Sequence, residues 1–64
     1  MNVADFCDLF NDTFQQIEIW SVEKEAVVFK GNVTEVLDSN YADCEILTID
    51  CQYNSNDVLT INID

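Results

Sequence analysis

Near Ile17 the spacing of the apolar residues changes, and that change restricts the chain to a mixed fold. Before it, Val3, Phe6, Cys7, Phe10 and Phe14 fall at helical intervals, the spacing that lines one face of a helix. After it, Ile17 and Ile19 alternate with Glu18 and Trp20, the period of a strand whose two faces meet different surroundings. A helical period followed by strand periods defines the α+β class.

The spacing predicts an amphipathic helix over residues 3–16. Asn2 is placed to cap it, and Asp5 stands where a carboxylate favours both the cap and the positive end of the helix dipole. Leu9 widens the apolar stripe, and Asp5, Asp8 and Asp12 recur on the opposite side. Residues 17–21 and 26–30 form a predicted hairpin around a turn at 22–25, with Lys24 in the turn and Lys30 at the strand end. Gly31 is expected to supply the backbone freedom to leave the sheet. The start signal Asn32-x-x-Glu35, followed by Val36 and Leu37, predicts a short helical turn within 32–40. Alternation resumes over 44–53 and 58–63, with a turn cluster at 54–57. The simplest assembly is one four-stranded, mostly antiparallel sheet built from two hairpins, with the N-terminal helix packed across one face and the helical turn between the hairpins.

On that assembly Ile17, Ile19, Val27, Phe29, Leu47, Ile49, Leu59, Ile61 and Ile63 meet the helix. The other face carries Trp20, Val28, Ile46 and Val58 among Glu18, Thr48, Asp50, Thr60 and Asn62. One helix cannot cover both faces of a sheet, so Trp20, Val28, Ile46 and Val58 form a candidate dimer or apolar interface unless the 32–40 segment folds over them. A register one residue away inverts the two faces, and that alternative stays open. A chain of 64 residues makes a single domain, 1–64, with a small core, for which homodimerisation is a natural remedy.

Charge bounds the partners. Thirteen Asp and Glu face two Lys, a formal net charge of −11, which repels nucleic-acid phosphates and anionic membranes. Direct binding to either is not expected. Asp5, Asp8, Asp12, Glu23 and Glu25 are instead candidate contacts to a protein with a basic surface, because carboxylates at such intervals can stand in for a run of phosphates. The rival reading is a solvated face that keeps a small protein soluble. Solubility, however, needs only modest net charge, and self-repulsion opposes a compact state.

Catalysis finds no support in the residues. The chain has no histidine and no arginine, and it lacks a nucleophile elbow, a P-loop and an HExxH pattern. Cys7, Cys44 and Cys51 show no C-x-x-C spacing, so buried free thiols are expected rather than a disulfide framework or a zinc site. The stretch DCQYNSND offers oxygen ligands but lacks the glycine and the closing glutamate of an EF-hand loop. No enzyme activity, metal or cofactor is expected. The opening MNVADFCDLF has neither a basic region nor a long apolar run, and the expected location is the cytosol.

The segments VADFCDLF, IEIWS, VVFKGNVTEV, EILTID and LTINID follow one another along nearly the whole chain. In this pattern the chain resembles small acidic proteins encoded by phages and mobile elements of Firmicutes. Some of these are similar in size and charge to anti-CRISPR proteins, which inhibit a host nuclease complex, often by occupying its nucleic-acid-binding surface. The resemblance implies an inhibitor or modulator that binds a basic site on a host protein as a nucleic-acid mimic. The alternative is a structural or regulatory interaction module that homodimerises, or binds an apolar partner, through its exposed sheet face.

Overall fold

The computed structural model describes residues 1–51 and 58–64. Within them the chain forms α1 (Val3–Cys7), β1 (Gln16–Ser21), β2 (Ala26–Asn32), α2 (Val33–Leu37), β3 (Ile46–Cys51) and β4 (Leu59–Ile63). The class is α+β with a four-stranded sheet in the order β2-β1-β4-β3. Both hairpins, β1 with β2 and β3 with β4, are antiparallel. Their inner strands β1 and β4 run parallel, so the sheet is mixed rather than mostly antiparallel. The predicted turn at 54–57 and the predicted strand residues Gln52 and Tyr53 lie outside the described residues.

The first helix is shorter than its apolar spacing predicts. Asn2 caps it by accepting from the Asp5 backbone N–H at 2.8 Å, yet the helix ends at Cys7 with Asp8 as its C-cap. Asp8 places a negative charge at the negative end of the dipole, with no basic residue in the last turn to offset it. Further on, the Asp12 side chain accepts from the Phe14 N–H at 2.9 Å, the local bond by which Asp diverts a backbone from helix into a turn. Phe14, assigned by its spacing to the buried stripe, is 79% exposed.

The helices also exchange the expected roles. The second helix, α2, packs against β2 and β1, and α1 packs against α2. It opens with a complete capping box, in which Asn32 accepts from the Glu35 N–H at 2.9 Å and Glu35 accepts from the Asn32 N–H at 3.0 Å. Gly31 remains inside β2, paired with Ile17, and adopts no left-handed conformation. Its role is space: a Cβ there would stand 3.1 Å from both Glu35 Cβ and Glu35 Oε1. The start of the chain is tied beside β3 by bonds from the Val3 N–H to the Cys44 carbonyl at 2.9 Å and from the Ile46 N–H to the Met1 carbonyl at 3.1 Å.

The core lies between the helices and one face of the sheet. Val3, Cys7, Val33 and Val36 from the helices meet Ile17, Ile19, Ile61 and Ile63. Two irregularities alter the expected faces. In β2 the partner of Ile19 is Phe29 and that of Trp20 is Val27, so Val28 is an extra residue. In β3 the partner of Ile63 is Ile46 and that of Asn62 is Thr48, so Leu47 is extra. An inserted residue shifts the inside–outside alternation by one. Val27 therefore shares the outer face with Trp20, whereas Val28 and Ile46 pack against the core. Leu47, predicted to face the helix, is 53% exposed.

Candidate functional site

The outer face of the sheet is built from two cross-strand rows, each running through all four strands. One row is Lys30, Glu18, Thr60 and Asp50, and the other is Val27, Trp20, Asn62 and Thr48. The parallel pairing of β1 with β4 creates both rows, because it places Glu18 beside Thr60 and Trp20 beside Asn62.

Polar contacts organise the rows. Lys30 Nζ lies 3.8 Å from Glu18 Oε1. Asn62 Nδ2 donates to Thr48 Oγ1 at 2.9 Å and to Asp50 Oδ2 at 3.0 Å, so the amide draws the two β3 side chains over β4. Thr60 departs from this arrangement. It is 7% exposed, and its Oγ1 has no hydrogen-bond partner among the described residues. A hydroxyl has one donor hydrogen and two acceptor lone pairs, and leaving it unsatisfied when buried costs about 1–3 kcal/mol. Every other member of the two rows is half-buried or exposed. Thr60 is thus a short polar side chain enclosed by longer neighbours.

The sequence-predicted interface residues separate in space. Trp20 lies half-buried on the outer face and Val58 half-buried just before β4, while Val28 and Ile46 turn to the core. The four do not share one face. The acidic candidates are all exposed, but they divide as well. Asp5 lies in α1, Asp8 caps its end and Asp12 occupies the following turn, so they do not form one helical stripe. Glu23 and Glu25 sit in the turn joining β1 to β2. The six residues of β1 separate that turn from the one holding Asp12, a span of about 20 Å for an extended chain. Glu25 holds its turn with a φ of 53°, a left-handed conformation unfavourable for a residue with a Cβ.

Among the described residues most of the remaining carboxylates add to the field without an internal partner of opposite sign. Glu35, Asp38, Asp43, Glu45 and Asp50 are exposed. Among the described residues the ion pairs are Lys30 with Glu18 and the N-terminal ammonium with Glu45, the latter at 3.4 Å. Cys7 and Cys44 are free thiols. Burial, and to a lesser extent the charge of Asp8, pushes the Cys7 thiol above its ordinary value of 9.0, which keeps it protonated and unreactive at neutral pH.

Among the described residues no helix is long and apolar enough to cross a membrane, and no three or more His, Cys, Asp or Glu side chains are grouped to hold a metal ion. In comparisons with known proteins, no family model, curated protein or solved structure matches the chain.

Proposed function

We propose that this chain is a small acidic inhibitor or modulator, acting in a bacterial cytoplasm, that binds a basic, nucleic-acid-binding surface of a host protein. One observation carries the reading: nearly all of the described carboxylates are exposed, and most of them have no internal counter-charge among the described residues. Such a surface repels itself and destabilises its own fold, and that repulsion is relieved when a basic partner docks. Carboxylates accept from Arg and Lys much as phosphates do, so a groove shaped for nucleic acid presents the complementary charge.

A second reading, an interaction module that homodimerises through the outer sheet face, draws on Trp20 beside the exposed Val27. With Val28 and Ile46 turned inward, the apolar area available to it is small. A second copy would also bring Glu18 and Asp50 against their own kind.

The test is capture of host proteins on the immobilised chain at low and high salt, with DNA or RNA added as competitor. Partners released both by salt and by nucleic acid support the proposal. Partners that withstand high salt and ignore nucleic acid overturn it in favour of an apolar interface.

A further inference from the structure

We infer that the row formed by Glu18, Thr60 and Asp50 is a receptor for an arginine side chain of the partner. The inference rests on the proposed binding of a basic surface and names the group that surface inserts. Glu18 and Asp50 flank Thr60 on its two neighbouring strands, which sets their backbones roughly 10 Å apart. Between them lies a buried hydroxyl oxygen with no hydrogen-bond partner among the described residues.

The existing contacts leave acceptor capacity on both flanking carboxylates. Of the Asp50 carboxylate, Oδ2 accepts from Asn62. The Glu18 carboxylate is approached by Lys30 only loosely, with Nζ 3.8 Å from Oε1. Lys30 already shows that a cation settles on this row, but it lies on the far side of Glu18 from Thr60. A guanidinium is planar, with donors on opposite edges, so it can reach both carboxylates at once and, as the exposed side chains that cover Thr60 part, point an N–H at its oxygen. An ammonium is a compact charge and reaches one of them. Trp20 stands diagonally next to Thr60 on the same face, and an indole is a surface on which a guanidinium stacks. These three features select arginine over lysine.

The probe is N-acetyl-arginine amide, titrated into the full chain and followed by backbone and indole NMR signals, with N-acetyl-lysine amide in parallel. Saturable shifts confined to Glu18, Thr60, Asp50 and the Trp20 indole are expected, with the lysine probe roughly threefold weaker. Thr60→Val replaces the orphaned hydroxyl by a methyl of similar shape. It is expected to melt no lower than wild type while binding the arginine probe roughly fivefold more weakly. Lys30→Met, which removes the resident cation, is expected to tighten the probe about twofold.

Shifts scattered over the acidic surface, equal binding of the two probes, or a Thr60→Val variant that binds like wild type would each overturn the receptor. None of these results touches the salt and nucleic-acid competition that tests the proposed function. Conversely, a saturable arginine site whose captured partners ignore nucleic acid would keep the receptor and remove the inhibitor reading.

Discussion

β2 and β3 are the two edges of the same sheet. Each pairs antiparallel with one inner strand, and each carries one inserted residue. They differ in what covers them. α2 lies over β2, and there the inserted Val28 packs against the core. On β3 the inserted Leu47 is 53% exposed and Ile49, although in register with Ile61 on the core side, is 37% exposed. The same local irregularity therefore turns inward where a helix supplies apolar cover and outward where it does not. A bulge is neutral in itself, and the layer above the strand decides its sign.

Substitutions at matched places on the two edges test this difference, and the largest effect is expected at Val28. Val28→Asp places a charge against the core and is expected to lower stability by about 3 kcal/mol or more, whereas Leu47→Asp should stay within about 0.5 kcal/mol of wild type in urea unfolding. Equal losses would mean that the two bulges are not differently covered. A milder pair is Phe29→Ala against Ile49→Ala. Phe29 packs on the core and beside Tyr41, with ring centroids 6.1 Å apart, so its truncation should cost about 2 kcal/mol and that of Ile49 under about 1.

The cover itself can be loosened through its cap. Asn32→Ala breaks the reciprocal box that starts α2 at the end of β2 and is expected to cost about 1 kcal/mol. Asn2→Ala removes a cap with a single bond and should cost about half as much. A smaller change of opposite sign is expected in the turn leading into β2. Glu25→Gly relieves a φ of 53° and should raise stability by about 0.5 kcal/mol, the left-handed penalty being partly offset by the entropy of glycine. A lower melting temperature for this variant would show that the Glu25 side chain stabilises the turn by more than its strain.

Much of the fold was legible. The strands predicted at 17–21 and 58–63 appear within one residue of those bounds and the cap at Asn32 appears as predicted, since alternation and capping are local chemistry. The stripe from Val3 to Phe14 misled because a helical spacing states which residues could share a face and not how far the helix runs. Asp8 and Asp12 end it through bonds and charges that a period count ignores. Faces were legible on the inner strands, where Ile17, Ile19, Ile61 and Ile63 are buried. They were not legible at the edges, because a bulge leaves no mark in composition and slips the alternation by one.

The candidate site divides along the same line. Sequence alone determined the charge of −11, the scarcity of bases, and the membership of Glu18, Thr60 and Asp50 in the outward alternation. Only the tertiary structure decided that these three lie side by side, since their adjacency comes from the parallel pairing of β1 with β4, two strands far apart in the chain. It also decided that Thr60 is buried without a hydrogen-bond partner among the described residues, while its row neighbours are half-buried or exposed. Local chemistry sets what a residue can offer, and which offers meet depends on strand order, which no local period encodes.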